Sequence, residues 1–222
     1  MEKLGTTKKV SAILSAAVLV LAIAALSGNP QVSATHQPAN KIAVSASGLD
    51  ILDTSVGGAG SDTATGVLLL GTLKTSNPTD LIIMVTLECA LWTNLKTAGA
   101  AADSTAQAQV LVWIEIDGVV LPISSDDTNG TGKVVFCNRD FRIKYSGLND
   151  ATILELFLKT RSTHAFNYIA ISPFGSSASN MHTIKLWAEV KVLVQGDGSA
   201  RALIGKRTMV VSPEKLANDI SI

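Results

Sequence analysis

Side chains that could bind a metal ion occur in two places. Residues 126–130 (DDTNG) set carboxylate, hydroxyl and amide oxygens beside a glycine, a composition found in calcium loops. In that alignment Ser125 would occupy the first ligand position and Phe136 the position of the bidentate glutamate. The calcium pattern fails at both positions, so the segment is predicted to be a solvated loop tip. His164 and His182 are expected on neighbouring strands, but two histidines without a third ligand do not define a zinc site. We therefore predict no metal and no cofactor.

Hydrolytic and nucleotide chemistry also lack a motif. The chain contains no G-x-S-x-G, no H-E-x-x-H and no P-loop pattern. We predict that the protein is not an enzyme, and an unrecognised hydrolase is the remaining catalytic alternative.

The chain has two cysteines, Cys89 and Cys137. Each lies within a predicted strand, on the side that carries the apolar residues. An even number of cysteines in an exported protein predicts a disulfide bond. The alternative is two separate buried thiols that act as small apolar side chains.

The three tryptophans, Trp92, Trp113 and Trp187, are candidates for a binding surface. Alternation places each of them opposite its strand's aliphatic face and beside charged residues. An aromatic ring offers a large contact area at low entropic cost, which suits a carbohydrate or a second subunit. The alternative is that loops, the chain end or a β-bulge cover the rings.

Asn129 is a candidate glycosylation site. It begins an Asn-Gly-Thr acceptor sequence, and it lies on the polar loop at 126–130. The prediction applies if the producing cell attaches N-linked glycans.

The elements that must position these residues are predominantly strands. Period-two alternation is clearest at 184–194, where every second residue is apolar. The run 164–213 predicts three consecutive antiparallel strands, whereas 57–66 and 98–108 are predicted loops. With eight to ten strands, the fold class is all-β, an antiparallel β-sandwich or jelly roll. A short C-terminal helix is predicted to begin at Ser212-Pro213.

The N-terminus resembles a targeting segment. Three lysines precede an uncharged apolar run at 10–26, and small residues lead to Ala34. We predict that residues 1–34 are a signal peptide with a helical core, cleaved after Ala34, and an uncleaved membrane anchor is the alternative. Residues 35–47 are then a flexible leader, or a strand donated to another subunit. Residues 48–222 are predicted to form a single β-sandwich domain.

Composition limits the choice of partners. The sequence of 222 residues has a formal net charge of zero and is 47% hydrophobic. It therefore has the apolar content to fill a large core, but not the basic character that nucleic acid binding requires. Contact with a membrane is expected only through the N-terminal segment.

Three segments carry a resemblance to other proteins. VFCNR (135–139), HAFNY (164–168) and IGKRTMVVSPEKLAND (204–219) resemble segments of small, exported, uncharacterised prokaryotic proteins. The resemblance implies export and a β-fold, and it implies no activity or site residue.

These observations support two hypotheses of different classes. The first is a secreted or cell-surface structural protein that self-associates into a filament, matrix or surface layer. The second is an extracellular carbohydrate- or ligand-binding module that uses the tryptophans.

Overall fold

Antiparallel strands account for all regular structure in the described part of the protein. The computed structural model describes residues 43–47, 52–75, 80–98, 101–123, 131–146, 153–171 and 181–214. In chain order its elements are β1 (Ala43–Ser47), β2 (Leu52–Gly57), β3 (Gly60–Lys74), β4 (Asp80–Ala98), β5 (Ala101–Ile116), β6 (Val119–Val120), β7 (Val134–Ser146), β8 (Ile153–Ala170), β9 (Met181–Gln195) and β10 (Gly198–Glu214). The predicted all-β fold is confirmed.

The strands form two five-stranded antiparallel sheets that pack together as a sandwich. Sheet I has the order β1–β10–β4–β8, and β2 also pairs with β10, along a different part of that strand. Sheet II has the order β3–β9–β5–β6, and β7 also pairs with β5. Among the described strands, β8 therefore pairs only with β4 and forms one edge of sheet I.

The core lies between the sheets, where alternate side chains of both point inward. In β9 the predicted alternation is confirmed, because every second residue is buried: Ile184, Leu186, Ala188, Val190, Val192 and Val194. Tyr168 of β8 reaches across this core, and its hydroxyl donates to the Val112 carbonyl of β5 at 3.0 Å. Burial raises the pKa of the Tyr168 phenol.

The prediction of three consecutive strands at 164–213 is wrong in its pairing. β8 and β10 both belong to sheet I, where β4 separates them, and β9 belongs to sheet II. The chain thus crosses between sheets at each connection. Alternation fixes which face of a strand is buried, but not which strand lies beside it.

The two predicted loops at 57–66 and 98–108 are mostly strand. β3 begins at Gly60, and β5 begins at Ala101. Their alanine, serine and threonine residues have little apolar surface, so the sequence carried no strand signal. Both segments pair with the strongly alternating β9, with Ala64 opposite Val190 and Ala106 opposite Val194. Tertiary pairing decides the conformation here.

The chain ends give two further results. The predicted helix start at Ser212-Pro213 is wrong, because β10 continues to Glu214 and pairs with β4 there. Residues 43–47, predicted as part of the leader, form β1 on β10 of the same chain. The predicted signal segment 1–34 lies outside the described residues. Within the described ranges there is no helix of membrane-spanning length and apolarity.

Candidate functional site

The first half of β8 presents an exposed apolar surface. Four of its first five residues are apolar and open to solvent: Ile153 (64% exposed), Leu154 (42%), Leu156 (39%) and Phe157 (58%). They alternate between the two faces of the strand, so neither face is covered. Since the outer edge of β8 also lacks a partner among the described strands, this segment is exposed on three sides. We call residues 153–157 the apolar edge.

The exposure follows from where the core ends. Leu156 lies opposite Leu95 of β4, and Leu154 lies opposite Thr97. Both β4 residues are buried, whereas their β8 neighbours are not. The side chains that pack between the sheets therefore cover β4 at this end of the sandwich, but they do not extend over β8.

Charged residues lie within and beside the apolar edge on its outer face. Glu155 accepts a hydrogen bond from the Asn94 amide at 3.0 Å. The Lys159 ammonium lies 5.2 Å from the ring centroid of Trp92, and the Arg201 guanidinium lies 5.4 Å from the same ring. Trp92 is thus on the outer face, as predicted, and two cations pack against it.

Trp113 and Trp187 form a single cluster on the outer face of sheet II. They lie opposite each other in β5 and β9, with ring centroids 5.9 Å apart and planes 5° from parallel. The Trp187 indole donates to Glu115 at 3.0 Å, and the Lys133 ammonium lies 4.8 Å from the Trp113 centroid. Their predicted face is observed, but Trp113 is only 9% exposed because its neighbours cover it.

Glu189 holds the lysine that covers Trp113. It accepts a hydrogen bond from Lys133 at 2.8 Å and forms an ion pair with Lys191. Burial by itself raises the pKa of Glu189, but the hydrogen bonds from the two lysines outweigh it and hold that pKa below its ordinary value. The carboxylate therefore stays charged and fixes Lys133 over the indole.

A shallow polar cleft lies farther along sheet II. Its volume is about 400 Å³, and amide, hydroxyl and charged side chains predominate in its lining, among them Gln107, Gln109, Asn138, Asp140 and Lys191. Gln107 donates to Asp140 at 3.0 Å across β5 and β7. None of the three tryptophans lines this cleft. The sequence did not indicate this cleft, because Gln107 lies in the segment 98–108, which was predicted as a loop, and Gln109 directly follows it.

Cys89 and Cys137 form a disulfide that connects the two sheets. Cys89 is in β4 of sheet I, and Cys137 is in β7 of sheet II. This agrees with the predicted bond. His164 has a ring nitrogen within 4.8 Å of both sulfurs. Its Nε2 shares a hydrogen bond of 2.7 Å with the Ser162 hydroxyl. With both sulfurs in the disulfide, these residues offer no pair of thiolates to a metal.

The two strand histidines do not come together. His164 is exposed on β8 of sheet I, whereas His182 is buried on β9 of sheet II. The expectation of neighbouring strands was wrong because the chain crosses between sheets. His182 Nδ1 forms a hydrogen bond of 2.7 Å with the Asp117 carboxylate. The same carboxylate accepts a hydrogen bond from the Thr183 backbone amide at 2.7 Å. Asp117 has a φ of 52° in the turn before β6, so this contact secures the turn.

Asn129 and the acidic loop lie outside the described residues, which end at 123 and resume at 131. Glycosylation at Asn129 therefore stays a prediction.

No protein-family profile matches the chain, and no curated protein matches it. Among solved structures, it has 8% identity and a TM-score of 0.19 to a CocE/NonD family hydrolase from Staphylococcus aureus, over 72% of this chain and 34% of that one. A structure of infectious bursal disease virus, Gx strain, has 8% identity and a TM-score of 0.18, over 78% and 38%. The VP2 subviral particle of that virus has 12% identity and a TM-score of 0.16, over 86% and 44%. The chain spans less than half of each, and likenesses this weak carry no argument.

Proposed function

We propose that this protein is a secreted or cell-surface structural protein whose subunits associate with one another in a filament, matrix or surface layer. The observation that carries the proposal is the apolar edge at 153–157. The proposed role is non-catalytic and needs no cofactor. A disulfide that links the two sheets is compatible with an extracellular location, because such bonds persist in oxidising compartments.

An open strand edge is a template for pairing with another chain. Soluble proteins protect such edges with charges, proline, bulges or a covering loop. At Ile153–Phe157 only Glu155 is charged, and the other four residues are exposed apolar side chains. Pairing another strand here would satisfy backbone groups and remove apolar surface from water together. Association through this edge accounts for both features.

β8 is a better docking element than the predicted leader. Residues 43–47 already pair with β10 of their own chain, so they would have to leave that sheet before donation to a neighbour. β8 can accept a partner without breaking any strand pairing that the structure describes.

Matched serine substitutions test the proposal. Ile153 and Val119 are similarly exposed, at 64% and 61%, but Val119 lies at the β5–β6 turn, away from the apolar edge. We expect Ile153→Ser to raise the concentration needed for association about 10-fold, as expected from losing about 1.4 kcal/mol of apolar contact. Val119→Ser should leave association unchanged.

Association is measured by light scattering of the exported protein in solution, and circular dichroism verifies the fold of each variant. Equal effects of the two substitutions would mean that general surface apolarity, and not this edge, drives association. A wild type that stays monomeric would contradict the proposed function itself.

Carbohydrate binding is a second candidate function, and the polar cleft favours it. Gln107, Gln109, Asn138 and Asp140 offer planar donors and acceptors on a sheet surface, which suit sugar hydroxyls. A glycan array probed with the exported protein tests this candidate. Absence of binding to any glycan would remove it and leave the structural role unaffected.

A further inference from the structure

The outer face of β8 has a symmetrical arrangement of charges. Glu155 lies two residues before Phe157, and Lys159 lies two residues after it. All three side chains are exposed, and the alternation of the strand places them on one face. An antiparallel partner with the same sequence would therefore present its charges in the reverse order.

We propose that two copies of this protein pair β8 with β8, antiparallel, about a two-fold axis at Phe157. This inference rests on the proposed function, because it names the surface and register through which the subunits associate. The two copies of sheet I would then form one continuous sheet. A two-fold axis makes the contact self-complementary, since the same residues serve both sides.

In this register Glu155 and Lys159 each meet an opposite charge, and Arg161, which pairs with Glu88 inside its own subunit, faces Ile153. Glu155 of one copy lies across from Lys159 of the other, and symmetry repeats the pair. Phe157 faces Phe157, and Leu156 faces Leu158. Opposite charges and apolar pairs placed directly across a strand pair stabilise it, so the register satisfies both.

The neighbouring registers fit less well. Centring the pair on Leu156 would set Glu155 across from Phe157, with no opposite charge facing it from the second copy. Centring it on Leu158 would set Glu155 across from Arg161, which already forms an ion pair with Glu88 inside the subunit. Lys159 has no ion pair of its own among the described contacts and only packs on Trp92. The Phe157 register therefore pairs Glu155 with Lys159, the cation that has no ion pair among the described contacts.

The inner face also gains from this pairing. Leu154 and Leu156 point toward the sandwich interior at an end where the core does not cover them. A second β8 would bring Thr160 and Leu158 across from them. The half-exposed leucines of the two copies would then cover one another.

Charge reversal tests the register. Glu155→Lys alone, or Lys159→Glu alone, sets like charges opposite each other twice in every dimer. We expect each to weaken dimerisation by about 10-fold or more in sedimentation or light scattering at low salt. The double variant Glu155→Lys/Lys159→Glu restores opposite pairs and should return within about 3-fold of the wild type. Lys206→Glu, an exposed charge change on β10, is the control and should have no effect.

Cysteine cross-linking provides a readout independent of charge. Only a residue on the axis meets its own copy, so Phe157→Cys should form a dimer disulfide under mild oxidation. Thr163→Cys lies on the same face of β8, six residues away, and the two copies of it would be about 40 Å apart. It should not cross-link.

The outcomes separate this inference from the proposed function. An associating wild type whose single charge reversals have no effect, or whose double variant is not restored, would overturn the Phe157 register while association stands. Cross-linking at Leu158→Cys in place of Phe157→Cys would do the same. A monomeric wild type would overturn both.

Discussion

Removing the disulfide between Cys89 and Cys137 should destabilise the sandwich without changing its fold. The bond closes a chain segment with a sequence separation of 48 and connects sheet I to sheet II. The perturbation is reduction of the wild type, with Cys89→Ala/Cys137→Ala as a variant that lacks the bond under all conditions.

The magnitude follows from the length of the closed segment. In the chain-entropy treatment, a loop of this size lowers the conformational entropy of the unfolded chain enough to stabilise the fold by about 4 kcal/mol. With a urea dependence of about 2 kcal/mol per molar, the unfolding midpoint should fall by about 2 M. Both sulfurs are buried, so the alanine variant loses packing as well and should be slightly less stable than the reduced wild type.

Urea unfolding followed by tryptophan fluorescence measures this difference, with thiol labelling to establish the redox state. Unfolded protein that has not been reduced should label at neither cysteine. A midpoint unchanged by complete reduction would mean that the bond does not stabilise the fold by restricting the unfolded chain. Labelling without reduction would show that the bond does not form.

Two other predictions concern single residues. Tyr168→Phe should cost about 1 kcal/mol near neutral pH, because the Val112 carbonyl loses its buried donor. Burial raises the pKa of Tyr168 above the pKa of the same side chain in the unfolded protein. The free energy of unfolding of the wild type should therefore decline as pH rises beyond about 10, and the decline should be weaker in Tyr168→Phe. Urea midpoints measured over a pH series test this. If the polar cleft binds a glycan, Gln109→Ala should weaken that binding about 10-fold by titration, and Trp92→Ala, outside the cleft, should not.

The sequence predicted those parts of the fold that depend on local alternation. In β9 the six residues predicted to face the core, at every second position from 184 to 194, are all buried. The same pattern predicted the second half of β8, from residue 164, as a strand and placed all three tryptophans on outer faces. In each case, the pattern of adjacent residues along one strand is enough to predict which face of that strand is buried.

Features that depend on pairing between distant segments could not be predicted this way. β3 and β5 begin with small residues and become strands because β9 lies beside them. Nothing local to His164 or His182 indicates that they belong to different sheets. The stacking of Trp113 on Trp187 depends on the β5–β9 register, which the sequence alone does not provide.

The candidate site shows the same division. The alternating leucines at 154–158 slightly favour a strand, but the segment 153–159 also consists of good helix formers, so its local sequence is ambiguous. The exposure of Leu154 and Leu156 arises because β8 is an edge strand and the opposing sheet does not cover its first half. Position within the sheet, which the local sequence does not specify, makes residues 153–157 the apolar edge.

The proposed function depends on association of subunits through β8. The most direct test is the molecular mass of the exported wild type in solution, measured by light scattering over a series of concentrations. If subunits associate through β8, the mass should rise from one subunit to two or more as concentration increases, and Ile153→Ser should displace this rise to higher concentration. A mass of one subunit at every concentration would contradict it.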